Sequence, residues 1–465
     1  MLTFQDFIYE TDGKSVDALS SFVMKAINEH QSDQMVKIAR IADSYDNQQN
    51  ETITQMIKYL YLSNGSKVED TTVSNHKLAS GFFHRLNVQR NTYLLGNGID
   101  FDDKNVKEKL GNQFDQIFKQ AGYNALIHGL TFVYWNHDRI YNFDIKEFKP
   151  FWDEETGALR AGIRFWRLSD EKPLKAVLYE EDGYTKFSEG ENKRLVITQP
   201  KRRYITKVRM NELDGIEIVG EDNYSSLPVI PFWGSRNHMS TLVKLRSNID
   251  AYDLIKSGFA NDLDECAQIY WLINGANGMD DIDMQEFRDR IKIHHVAKVE
   301  RDGQVVPYTQ EVPSGSRETL LDRIKSDLYE DFGALDVHTI AAGSTNDHID
   351  AAYQPLDEEA DDYEFQCTDC IKQILALQGI DAEPVYKRNR ISNQMEQVQM
   401  LIMEAPYLDE ETILSKLPNV TIDEVQKIIQ RKDAEDKDRF AGDSEEDDEE
   451  DDEESANSEE GAENG

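Results

Sequence analysis

The apolar residues of this chain change their spacing twice, and that pattern excludes any single repeated architecture. Near the N-terminus Val16, Leu19, Val23, Ala26 and Ile27 recur at three- and four-residue steps behind Ser15, the pattern of an amphipathic helix with a serine N-cap. Over residues 139–230 the spacing shortens to alternating runs broken by turn residues, which predicts strands. From Leu242 through Leu245, Ile249, Tyr252 and Phe259 a helical stripe returns. Helices and strands segregated in this way predict an α+β fold. The 465 residues, at about 150 per domain, allow roughly three folded units.

Finer boundaries follow from punctuation. Asn64-Gly65 marks a turn after an apolar run. Helices are predicted over residues 76–95, ending at Gly96-Asn97-Gly98, and over residues 106–128, with a strand over residues 130–135. Residues 153–157 link two alternating runs, and Glu181-Asp182-Gly183 links two more as a hairpin. Residues 240–262 form one long amphipathic helix. Residues 275–315 read as a compact α+β insert, with a short helix at 284–292 and Asp302-Gly303 between strands 296–299 and 305–308. Ser316 caps a helix with Leu320, Leu321, Ile324, Leu328 and Phe332 on one face. After a glycine- and serine-containing loop at 337–354, a helix begins at Pro355, a residue favoured in the first turn, and runs to about residue 378. Shorter helices start at Ser392 and at Thr421, the latter with capping-box spacing to Glu424.

Charge narrows the possible functions. The formal net charge is −38, and residues 441–465 hold 14 acids and no base, leaving −24 on the remainder. Such a tail repels itself, contains nothing to bury and is expected to be disordered. Tight binding to DNA requires clustered lysine and arginine, because counterion release drives it. A chain this acidic is expected to let DNA slide past. No basic-then-apolar leader and no apolar window of about 18 residues occurs, so a soluble protein made in a cytoplasm is expected. Three cysteines, Cys266, Cys367 and Cys370, are too few for a disulfide scaffold and point to a reducing compartment.

No motif adds up to an enzyme. Cys367-Thr368-Asp369-Cys370 is a CxxC, but no second ligand pair is near, and both cysteines fall on an apolar stripe with Leu356, Ala360, Tyr363, Ile371 and Ile374. Buried packing is the favoured role. His294 and His295 are adjacent and would point to opposite faces of a strand, so they cannot share a metal. Gly96-Asn97-Gly98 lacks the frame of a phosphate loop and reads as a turn, and no GxxxxGK[ST] occurs. Residues 193–210 contain seven bases and no acid, which suits an interface with an acidic neighbour better than a nucleic-acid patch. Asp357, Glu358, Glu359, Asp361, Asp362 and Glu364 complement the dipole at a helix start and also suggest a negatively lined surface. No catalytic residue, metal or cofactor is assigned.

The order of these pieces resembles a known family. Residues 75–101 (NHKLASGFFHRLNVQRNTYLLGNGIDF), residues 227–232 (LPVIPF) and residues 249–262 (IDAYDLIKSGFAND) resemble the portal (connector) proteins of tailed double-stranded-DNA bacteriophages, of siphophage type. Ser344-Thr345-Asn346 and Ala351-Ala352-Tyr353 approximate the family's tunnel-loop element. The resemblance implies a multidomain portal fold assembling as a ring of about twelve subunits. By this likeness residues 1–239 form the wing, 240–262 and 316–336 the stem helices, and 263–315 the clip. Residues 337–354 form the tunnel loop, 355–391 a long wing helix and following strand, 392–440 the crown, and 441–465 the acidic tail. Ala342, Ser344, Thr345, Asn346 and His348 would face the DNA channel. The implied function is the capsid-vertex channel for packaging and ejecting DNA, without enzymatic activity. Its implied partners are other copies of itself, the large subunit of the terminase, a head–tail adaptor, the major capsid and scaffold proteins, and double-stranded DNA held weakly without sequence preference. The implied location is the virion, and the host cytoplasm during assembly. The competing reading is an acidic DNA mimic or histone-chaperone-like binding protein.

Overall fold

The structure is a computed structural model that describes residues 2–62, 65–71, 73–190, 192–211, 215–266, 270–274, 304–308, 314–339 and 346–390, with short pieces between 401 and 432. Residues Met1–Asp336 and Gln354–Asn389 make one compact unit, and residues 337–353 with those beyond 389 make a second. Among the described residues no helix is long and apolar enough to cross a membrane.

The chain opens with helices α1 (Phe4–Thr11), α2 (Val16–Gln31), α3 (Gln34–Asp46) and the single turn α4 (Glu51–Thr54). Ser15 caps α2 as expected, its hydroxyl accepting from the Ala18 N–H. A hairpin, β1 (Tyr59–Tyr61) with β2 (Lys67–Glu69), follows. Helix α5 (Phe82–Leu95) begins six residues later than expected, because residues 76–80 are extended and bonded sideways to another helix. The turn at Gly98 has a positive φ of 78° and leads into β3 (Ile99–Phe101). The helix expected over residues 106–128 is two helices, α6 (Lys104–Leu110) and α7 (Phe114–His128). Gly111, at φ 90°, breaks it in a conformation that L side chains rarely adopt.

Next come β4 (Leu130–Trp135), β5 (Ile140–Asp144), β6 (Phe148–Trp152), β7 (Leu159–Trp166), β8 (Lys175–Glu180), β9 (Gly183–Glu189) and β10 (Leu195–Arg202). Strands β6 to β10 form an antiparallel five-stranded meander, with both expected turns in place. Hairpin β11 (Ile205–Asn211) with β12 (Gly215–Asp222) follows, and β13 (Val229–Trp233) pairs with β4 in a sheet of order β13-β4-β5. Helix α8 (Leu242–Cys266), strands β14 (Tyr270–Asn274) and β15 (Gln304–Tyr308), helix α9 (Ser314–Phe332), helix α10 (Asn346–Leu377) and strand β16 (Pro384–Tyr386) complete the described elements. Strand β15 pairs with β14, whereas residues 284–292 and 296–299 lie outside the described residues. So do His294, His295, Ser392, Thr421 and the tail.

Four apolar clusters of described residues hold the first unit, one of them gathering Phe132, Phe143 and Phe148. Phe7 and Phe22 of α1 and α2 pack on Phe151, Ile163 and Leu178 of the meander. Phe114 and Phe118 of α7 meet Phe232 of β13 and Tyr363 of α10. Phe82, Leu245, Leu328 and Phe332 gather α5, α8 and α9. Each such fully buried side chain contributes roughly 1.5–3 kcal/mol.

Candidate functional site

Helices α8 and α9 form an antiparallel rod. At one end Asn248 donates to Asp331 at 2.9 Å, and at the other Arg317 pairs with Asp262. These contacts are equally spaced along both helices, which keeps the pair in register. The β14–β15 ladder continues the antiparallel pairing, with Tyr270 opposite Tyr308 and Asn274 opposite Gln304.

One face of α8 buries polar side chains at four-residue steps: Asp253, Ser257 and Asn261. They accept the N–H groups of Ser80 (2.9 Å), Leu78 (3.0 Å) and His76 (2.7 Å) respectively. Four residues of helix rise about 6.0 Å and two residues of extended chain about 6.6 Å, so the two repeats match over this distance. Asp253 also accepts from the Asn50 side-chain amide at 2.9 Å. Burial raises the Asp253 carboxyl from its ordinary value, although these donors favour its charged form.

The long helix α10 corrects the sequence reading. It starts at Asn346, not Pro355, so the second half of the expected 337–354 loop is helical. An apolar stripe in alternating four- and three-residue steps explains why: Ile349, Tyr353, Leu356, Ala360, Tyr363, Cys367, Cys370 and Ile374 are all buried. Pro355 lies on the exposed side of this helix, where it has no N–H for the Ala351 carbonyl. Of the residues expected to face the channel, Ala342, Ser344 and Thr345 lie outside the described residues. Asn346 opens the helix, and His348 is exposed in its first turn.

The acidic cluster therefore sits about three turns inside α10, too deep for its N-terminal dipole to account for it. Three arginines hold it instead. Arg388 reaches Asp357 at 2.8 Å, Glu364 at 3.0 Å and also Asp361. Arg236 pairs with Asp362 at 3.2 Å. Arg90, buried over the Phe332 ring, pairs with Glu359 at 3.0 Å and donates to the Phe332 carbonyl. Arg90, Phe332, Glu359 and Asp362 line a cleft of about 470 Å³. Tyr363 donates to Asn91 at 2.9 Å and lies so close to α7 that a Cβ on Gly122 would collide with its hydroxyl. Sequence reasoning missed the arginines and the polar stripe of α8. The four-residue spacing of Asp253, Ser257 and Asn261 was the available signal for the stripe.

Cys367 and Cys370 are buried, and burial pushes both thiols well above their ordinary range, the opposite of a reactive thiolate. Among the described residues no group of three His, Cys, Asp or Glu side chains is placed to hold a metal ion. Within residues 193–210, Lys201 pairs with Glu180 and Asp182, and Lys207 with Asp222. Lys193, Arg194, Arg202 and Arg209 are exposed without an ion pair among the described residues.

A family model described as phage portal protein, SPP1 Gp6-like, matches residues 25–439. The portal protein of Bacillus phage SPP1 is 25% identical over 384 residues, covering 76% of this chain and 71% of that protein. The portal protein of Clostridium phage phiCD119 is 22% identical over 431 residues, covering 83% and 93% respectively.

Proposed function

The chain belongs to the SPP1 Gp6-like phage portal protein family, and from that premise we propose that its copies close into a ring around a DNA channel at one capsid vertex. As a portal protein it is a structural component of the virion that serves DNA packaging. The observation that carries the ring reading is the α8–α9 rod with its β14–β15 extension, set between the strand-rich part of the chain and the long α10. In this reading the rod is the stem and residues 263–315 are the clip. Residues 1–239 and the helix that follows residue 354 make the wing, and residues 392–440 the crown. The segment around Ala342, Ser344, Thr345, Asn346 and His348 approaches the DNA, with part of it on the first turns of α10.

The charge balance supports a conduit. A net charge of −38 per chain repels a duplex, leaving only weak and transient phosphate contacts, so DNA moves without being held. The partners in this reading are further copies of the chain, the terminase large subunit, a head–tail adaptor, and the capsid and scaffold proteins. Electron microscopy of the purified protein tests the ring directly. Closed rings of about twelve copies with a central hole are expected, because a head-to-tail interface between identical chains must close or grow into a filament. Particles that stay monomeric or dimeric at every concentration would refute it.

A further inference from the structure

Between the meander and the β4–β5 hairpin lies a pocket of about 260 Å³, and none of its lining residues belongs to α8, α9 or α10. Five of its ten lining residues are tyrosines and none is acidic. The strand register builds it. Arg164, Val177 and Lys186 stand opposite one another across β7, β8 and β9. Gly162, Tyr179 and Tyr184 form the next row on the same face, because residues two apart along a strand point the same way. The other face, with Ile163, Leu178 and Phe187, is the one that α1 and α2 cover. Tyr134 and Tyr141, paired across β4 and β5, close the pocket, with the Tyr134 ring 5.2 Å from that of Tyr179.

The polar groups here converge as donors. The Arg164 guanidinium lies over the rings of Phe143 (4.2 Å) and Trp166 (4.8 Å). Its Nε is buried without a hydrogen-bond partner, and among the described residues no acid pairs with it. Lys186, exposed beside Tyr184, has no ion pair among the described residues either. Tyr184 accepts from the Gln199 amide at 3.5 Å, which leaves its own O–H to donate. The Tyr134 hydroxyl makes no hydrogen bond among the described residues. Burial raises Tyr134 and pushes Tyr179 up to about 12, so both phenols stay protonated at neutral pH. The flanking acids are already paired: Asp138, Asp144, Glu180, Glu181 and Asp182 each have a basic partner. Within two residues of a lining position six bases (Arg139, Arg164, Lys175, Lys186, Arg202 and Arg203) stand against those five acids, in a chain whose acids outnumber its bases by 89 to 51.

We propose that this pocket binds an acidic side chain of a protein segment, a carboxylate carried beside an aromatic or aliphatic neighbour. Arg164, Lys186 and the Tyr184 hydroxyl hold the carboxylate oxygens, and Phe143, Val177 and the tyrosine rings take the apolar stem. Walled by aromatic rings, Arg164 gains more from a carboxylate than an arginine in open water does. A duplex is the poorer fit, because its affinity comes from many phosphates met at once and two unpaired cations in a recess offer few. The site lies within one chain, so it stands whether or not copies close into a ring.

The test uses the full-length chain and two fluorescein-labelled peptides, Ac-Ala-Glu-Phe-Glu-Ala and its isostere Ac-Ala-Gln-Phe-Gln-Ala, followed by anisotropy. The glutamate peptide is expected to bind at least about tenfold more tightly than the glutamine peptide, and Arg164→Gln to remove at least about tenfold of that affinity. Arg164 also packs on two rings, so Tyr184→Phe and Lys186→Gln, which remove one hydroxyl and one exposed charge, are measured beside it. Each should weaken the glutamate peptide by about threefold or more with an unchanged Tm. Equal binding of the two peptides, or binding of neither, would overturn the proposal. So would an affinity that all three variants leave unchanged. A short DNA duplex of mixed sequence that binds the natural chain, and loses that affinity in Arg164→Gln, would overturn it in favour of nucleic acid.

Discussion

Asp253 joins two separate segments to α8 through one buried side chain. Its two carboxylate oxygens separately accept the Ser80 N–H and the Asn50 amide in a buried setting. Asp253→Ala leaves both donors unsatisfied, at about 1–3 kcal/mol each, so a loss of roughly 2–6 kcal/mol in denaturant unfolding is expected. Its titration adds a sign. The folded carboxyl is raised above its unfolded value, so its contribution is fully present below the unfolded pKa and is lost as pH rises through the folded one. Relative to Asp253→Asn, the natural protein should therefore gain stability as the pH is lowered from about 7 to about 4. The two buried cysteines make the contrasting case. Replacing Cys367 and Cys370 by alanine removes two small apolar groups and should cost only about 1–2 kcal/mol in the same measurement. Rapid reaction of either thiol with a disulfide reagent in the native protein would contradict their burial.

Among the elements, α10 is the one most dependent on distant partners. Arg388 is the cation shared by Asp357, Asp361 and Glu364, and it ties the middle of the helix to the segment after β16. Arg388→Ala leaves three carboxylates on neighbouring turns without it. A loss of about 1–2 kcal/mol is expected, less than for three buried charged bonds because Asp361 is exposed. Hydrogen exchange should rise in residues 356–366, and Arg388→Lys should recover only part of the loss, since an ammonium cannot fork to several carboxylates. Unchanged exchange in Arg388→Ala would show that the apolar stripe alone holds the helix. Elements governed by local chemistry were legible in the sequence: the Ser15 cap, the turns at residues 153–157 and 181–183, the strand at 130–135 and the stripe of α8. Those governed by long-range contacts were not. Pro355 reads locally as a helix start, but the stripe running back to Tyr353 and Ile349 overrides it. Residues 76–80 look helical until Asp253, Ser257 and Asn261 claim their N–H groups.

For the whole molecule the governing fact is charge: −38 per chain, which the proposed ring would multiply by its number of copies. In the proposed channel, residues 341–346, Ala-Ala-Gly-Ser-Thr-Asn, would offer passing DNA small, polar groups. Asp347 and His348, exposed in the first turn of α10, follow immediately in the chain, and Asp350 is already paired with Arg390 at 3.1 Å. Introducing Ser344→Lys together with Asn346→Lys would place about twenty-four new positive charges around the bore of a twelve-fold ring, and each phosphate neutralised steepens the salt dependence of binding by about one unit of log–log slope. Assembly should be unaffected, because neither position belongs to the apolar stripe of α10, which begins at Ile349. Packaging is expected to slow or stall at low ionic strength and to recover partly as salt is raised, since screening shortens the reach of the added charges to about 10 Å near 0.1 M and less above it. A single-round packaging assay across a salt series reads this directly. Kinetics unchanged at every ionic strength, in particles that still carry intact rings, would place the DNA path away from this segment.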